Sequence, residues 1–182
     1  MRGYGWRDPA RLIARCEKGN PMDARASQLI ERLGLVAHPE GGCFRQVYRS
    51  STTVQPADDR GARPSLTTIY FLLVSGEVSR WHRVASDEAW HYYEGDPLEL
   101  WSADAGFSEI TRHVLGRVDD GRRPVDVIRA GRWQAARTTG SYTLVGCTVG
   151  PGFDFADFEM LDQRPDEAEA VRRRHPELAV FV

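Results

Sequence analysis

His82, Glu88 and His91 stand within ten residues of one another in the stretch GEVSRWHRVASDEAWHYYEG, from Gly76 to Gly95. Two imidazoles and a carboxylate so close together can build a divalent-metal site or an acid–base pair. The stretch lies between two apolar runs and closes on a Gly-Asp-Pro turn, which places it on strands. Alternate residues of a strand share a face, so His82 and Val84 point the same way. After a turn at Ala85-Ser86-Asp87, Glu88 enters the next antiparallel strand on that same face. Trp90 and Tyr92 continue the row, and His91 turns away. His82 and Glu88 are therefore expected to meet.

A catalytic zinc typically takes three protein ligands, and a non-haem iron site two histidines and a carboxylate. The inward row supplies one histidine and one carboxylate, because Val84 cannot ligate. Metal chemistry is accordingly disfavoured, and no cofactor is expected. Without metal, Glu88 can orient the His82 imidazole as a general base, with Tyr92, or Tyr70 from the neighbouring strand, as the acid. The bland alternative is a satisfied polar pair that lines a binding pocket. Arg45 alternates with Phe44 and Gln46 and is a candidate clamp for a carboxylate or phosphate of the ligand. Arg80 shares the parity of His82 and would need an anion, Glu88 or Glu40, if buried. Trp90 and Trp133 are placed to stack on a planar ligand. His38-Pro39-Glu40-Gly41-Gly42 reads as a structural turn with Glu40 its one ligand-facing carboxylate. His113 and His175 read as surface residues, and Cys147, mid-strand in an apolar run, as an inert core thiol.

The elements that must position these residues follow from turn punctuation. A helix is expected between Asp8-Pro9 and Gly19, and a second from Met22, capped by Asp23 and ended by Gly34. From residue 35 the period becomes alternating. Strands are expected at about 44–49, 67–74, 78–84, 88–94, 97–102, 107–115, 124–129, 133–137, 141–149 and 155–161, with Gly- and Asp-rich turns between them. Many short strands at this spacing indicate an all-β barrel or jelly roll, with short helices at both ends. A last helix opens at Pro165 and stops before Pro176, and the apolar tail Leu178 to Val182 docks back on the barrel or on a partner. The division expected is an appendage over 1–21, a barrel with its leading helix over 22–164, and a helix and tail over 165–182. Translation from either Met1 or Met22 is compatible with this pattern.

The chain of 182 residues is 41% hydrophobic and 27% charged, enough to bury one core. Its net charge of −2 provides no field for nucleic acid. Arg172-Arg173-Arg174 ends a helix, where the dipole favours cations. Cys16, Cys43 and Cys147 are odd in number and far apart, which fits a reducing compartment. The most apolar run, Ile69 to Val74, is too short to span a bilayer, and the N-terminus lacks a signal-peptide core. A cytoplasmic protein with neither membrane nor nucleic-acid partner is expected.

Gly76, His82, Val84, Glu88 and Gly95 follow the spacing of the first motif of the cupin superfamily, except that valine replaces the motif's second histidine. The second motif corresponds to Ala130-Gly131-Arg132-Trp133-Gln134, where Gln134 replaces a histidine. Longer segments resemble one cupin family of unknown function over roughly residues 27–161. They are HPEGG at 38–42, FRQVYRS at 44–50, TIYFLL at 68–73, SRWHRV at 79–84, DEAWHYYEGDPLEL at 87–100, GRWQAAR at 131–137 and YTLVGCTVGPGFDFADFEM at 142–160. The resemblance implies a double-stranded β-helix, usually a homodimer. Any metal would be left with His82, Glu88 and Gln134. The metal-free layout of histidine, carboxylate and tyrosine is similar in kind to cupin epimerases that act on nucleotide-linked keto-sugars. The expected protein binds a small polar or planar molecule, with isomerase- or epimerase-type proton transfer by His82 and Glu88. A metal-dependent dioxygenase and a non-catalytic binding or storage-like protein are the alternatives.

Overall fold

The computed structural model describes residues 23–182. The helix expected after Pro9, the appendage over 1–21, Cys16 and the choice between Met1 and Met22 lie outside the described residues. Helix α1 (Ala24–Leu33) starts where the Asp23 carboxylate accepts the Arg25 and Ala26 amides, and it stops at Gly34 with φ 60°.

The strands are β1 (Val36–Ala37), β2 (Cys43–Arg49), β3 (Thr53–Val54), β4 (Arg63–Pro64), β5 (Thr67–Val74), β6 (Ser79–Val84), β7 (Asp87–Gly95), β8 (Leu98–Ala103), β9 (Ile110–Leu115), β10 (Val125–Ile128), β11 (Trp133–Thr138), β12 (Tyr142–Gly150) and β13 (Phe158–Met160). They form one sheet in the order β1-β2-β5-β12-β7-β10 and a second in the order β13-β6-β11-β8-β9, beside the small β3-β4 ribbon. This is the expected all-β jelly-roll barrel. Two expected strands begin late. The Asp104 carboxylate ties down the Ser108 and Glu109 amides, bending 104–109 into a turn before β9. Asp154 caps a 3-10 turn over Phe155–Asp157 before β13.

Side-chain alternation fills the barrel unevenly. One end packs Phe71, Leu73, Leu98, Leu100, Leu115 and Val145. Along the same inward rows the chemistry then changes: Leu98 and Leu100 lead to Ser102 on β8, Trp90 leads to Glu88 on β7, and Ala136 leads to Gln134 on β11. The outer face of the second sheet carries Trp81, Trp133 and Ala135, covered by helix α2 (Pro165–Arg174) and the tail residues Leu178 and Phe181. Helix α1 covers part of the other sheet through Ala26 and Leu29.

Two local irregularities position the polar end. Gln134 pairs with His82, but Ala136 pairs with Ser79, so β6 carries an extra residue. This bulge turns both Ser79 and His82 inward and breaks the parity that grouped Arg80 with His82. The loop before β2 then passes over the barrel mouth because Gly41 adopts φ 117° against the Val78 carbonyl; a Cβ there would lie 2.1 Å from that oxygen. Gly41→Ala is expected to lower unfolding free energy by about 1–3 kcal/mol. Urea denaturation followed by circular dichroism checks this, and an unchanged midpoint refutes it.

Candidate functional site

At the polar end Glu40 is the hub. Its Oε2 lies 3.2 Å from His38 Nδ1 and 3.3 Å from His82 Nε2, and its Oε1 accepts the Ser79 hydroxyl at 2.7 Å. The other His82 nitrogen, Nδ1, faces the Arg80 carbonyl at 2.8 Å. A carbonyl can only accept, so Nδ1 carries a proton and donates it there, while Nε2 is turned toward Glu40. Arg80 fastens the loop from behind: its guanidinium donates to the Pro39 and Glu40 carbonyls and pairs with Asp162.

Glu88 sits beside this cluster with different neighbours. Its Oε2 accepts the Gln134 carboxamide N–H at 2.6 Å, and Gln134 Oε1 accepts the Trp90 indole N–H at 3.0 Å. Glu40, Glu88, His82 and Gln134 are all buried. Burial pushes both carboxyls up. At Glu40 the charges of His82 and His38, with the Ser79 hydrogen bond, reverse that and hold the group at about 2. At Glu88 burial prevails over His82, the Glu40 charge adds to it, and the carboxyl stays above its ordinary value. Burial and then the Glu88 charge push the Cys147 thiol up as well, which keeps it protonated.

Residues 27–161 match the family described as "Cupin superfamily (DUF985)". The chain belongs to the cupin superfamily. A hypothetical protein from Leishmania major is 32% identical, with TM-score 0.74 over 86% of this chain and 96% of its own. A Shewanella oneidensis protein is 34% identical, with TM-score 0.72 over 86% of this chain and 94% of its own. No functionally curated protein matches the chain.

Many cupins hold a divalent metal at the positions of His82, Val84, Glu88 and Gln134. The donors here do not fit one. Val84 has no donor atom, and Gln134 spends its oxygen on Trp90 and its amide on Glu88. Glu40 directs its lone pairs at two histidines and a serine. Among the described residues no group of three His, Cys, Asp or Glu side chains is arranged to hold a metal ion.

The structure brings His82, Glu88, Trp90 and Gln134 together and separates the other residues singled out in the sequence. Tyr70 lies on the outer face of β5, edge-on to Tyr93, because it alternates with the inward Phe71. Tyr92 is inward but belongs to the far end of its row, with its hydroxyl on the Gly95 carbonyl. Arg45 is outside the barrel, where its guanidinium donates to Leu33 O at the end of α1. Arg80 is partly exposed and acts on backbone carbonyls. Trp133 faces outward beneath Phe107 and Arg83. His91 points outward, as its parity requires. His113 is no surface residue: it pairs with Asp126 inside the barrel. The residues missed were His38 and Ser79, and the part assigned to Glu40 was too small. The two glycines after Glu40 were the available signal, since they permit a close return of the backbone.

The two carboxylates make opposite predictions. Glu40 has a depressed folded-state value, so its contribution is present above its unfolded value near 4.5 and disappears as pH falls toward about 2. Acid unfolding should therefore draw about 3 kcal/mol from Glu40, and Glu40→Gln should flatten stability over that window. Glu88 has a raised value, so its stabilisation is present at low pH and lost as pH rises through the folded-state value. Glu88→Gln keeps an acceptor for Gln134 and is expected to raise the melting temperature at pH 7. Calorimetry of both variants between about pH 2 and 8 measures these opposite signs.

Proposed function

We propose that this cupin binds a small polar or planar metabolite at the polar end of the barrel and moves a proton on it, as an isomerase or epimerase does. The observation that carries the reading is the divergence of two buried carboxylates around one histidine. Glu40 is a fixed anion that holds His82, and Glu88 is poised to take or return a proton. Neighbouring carboxyls pushed in opposite directions are characteristic of acid–base sites. Glu88 then serves as base and His82 as the acid that polarises the substrate's carbonyl, which suits abstraction of a proton next to a carbonyl. In this assignment the acid is His82, held by Glu40, and no tyrosine is needed.

The rim supports a planar ligand. His38 packs edge-on against Phe44 and Phe158 and near-parallel to Phe155, while Phe153 meets Phe155 and Phe158. Such ring faces favour a flat or sugar-like molecule. Binding without turnover is the competing reading. We also infer a cytoplasmic location from the wide spacing of the cysteines. Among the described residues no helix is long and apolar enough to cross a membrane.

For the homodimer we propose the outer face of the first sheet. Tyr48 on β2, Tyr93 on β7 and Val127 on β10 are 52%, 47% and 49% exposed on one face spanning the sheet. Tyr93→Glu should shift sedimentation velocity from dimer to monomer, and an unchanged profile rejects this face.

Native mass spectrometry of protein from two expression hosts is expected to show a retained small molecule. A bare chain in both hosts overturns the binding reading. With that molecule as substrate in deuterated water, wild-type protein should wash deuterium into it, and His82→Ala should reduce the exchange by at least about 10²-fold with the fold intact. Exchange that survives in His82→Ala, or none in wild type, refutes proton transfer.

A further inference from the structure

A second constellation lies inside the same barrel, one strand beyond Gln134. Gln134 pairs across the sheet with Ser102, and the row of Leu98 and Leu100 directs Ser102 inward. His113 on β9 is opposite Leu100, so it faces the interior too, and Asp126 on β10 is opposite the inward Trp90. Ser102 Oγ lies 3.3 Å from His113 Nε2, and His113 Nδ1 lies 2.7 Å from Asp126 Oδ2. The remaining Asp126 oxygen, Oδ1, accepts the Val127 amide at 2.9 Å. The carboxylate is therefore held at both ends, which places the imidazole proton on Nδ1 and leaves Nε2 as an acceptor for the serine hydroxyl.

Hydroxyl, base and orienting carboxylate in this order form the arrangement that activates a serine nucleophile, and a loose serine–histidine contact is usual without substrate. The three residues come from three different strands and from both sheets. Access comes from the seam between β9 and β10, edge strands of different sheets, where the His113 and Asp126 side chains are 20% and 16% exposed. Ser102 itself is 4% exposed, so a reacting group must enter past the histidine. Arg123 reaches within 4.0 Å of Asp126 Oδ2 from a solvent-exposed position and supports the charge of that carboxylate.

We propose that Ser102, His113 and Asp126 form an acyl-transfer site for small activated esters, distinct from the Glu40–His82–Glu88 cluster. Ser102 Oγ bonds to the acyl carbon as its proton passes to His113 Nε2. The ester C–O bond breaks, and the alcohol leaves with that proton. Water then attacks the acyl-serine, gives its proton to His113, and releases the acid as the proton returns to Ser102 Oγ. No oxidant, metal or further reactant is required.

The test treats the full chain with a fluorophosphonate probe and reads the intact mass. The expected result is one phosphonyl adduct per chain, mapped to Ser102 by peptide sequencing, with a burst of p-nitrophenol from p-nitrophenyl acetate. Ser102→Ala and His113→Gln should both lose the adduct. Asp126→Asn, a change at a positioning residue, should slow labelling by up to about 10⁴-fold with an unaltered melting temperature. If His113→Gln fails to fold, Ser102→Ala and Asp126→Asn still decide the matter. No adduct on the wild-type chain, an adduct on another residue, or equal labelling of Asp126→Asn each overturns the proposal and leaves the three residues as a clasp between the two sheets.

Discussion

A carboxylate inside a β-barrel survives only if its charge is met at once, because the desolvation penalty for an unpaired ion is several kcal/mol. Glu40 meets that requirement with His82, His38 and Ser79. Much of the local architecture serves this contact. The glycine at 41 lets the loop return over the mouth, Arg80 fastens it from behind, and the bulge in β6 turns Ser79 and His82 together toward one oxygen pair. Glu88 departs from its ordinary behaviour chiefly through its own burial, to which the Glu40 charge adds. The two carboxylates are one electrostatic system whose members were pushed apart.

This arrangement sets stability against chemistry. The apolar end packs Leu98, Leu100 and Val145 at almost no exposure. The second sheet is sealed from outside by Trp81, Trp133 and the C-terminal helix and tail. A barrel anchored from one end and one outer face can tolerate a strained, charged mouth, and functional sites are commonly paid for in this way.

Most strand segments and the all-β class were legible because alternation and turn residues are local signals, and the segment from Thr67 to Val74 needed nothing else. The inward row of His82, Glu88 and Trp90 was legible for the same reason. Parity failed at Arg80, where a single extra residue in β6 shifts the register and no local residue marks it. Tyr70 and Arg45 were misplaced because alternation says that neighbours face opposite ways without saying which face is the interior. His38, Ser79, and the pairing of His113 with Asp126 depend on contacts between distant segments, which spacing along the chain does not encode.

The link from Trp90 to Gln134 has a directional effect. An indole nitrogen can only donate, so the Gln134 carboxamide must turn its oxygen toward Trp90 and its amide toward Glu88. That amide occupies Glu88 Oε2, which favours Oε1 as the oxygen to carry a proton. In the proton transfer proposed above, a tryptophan that never handles the proton would thereby select the oxygen from which it departs, and so the side of a bound molecule on which it arrives.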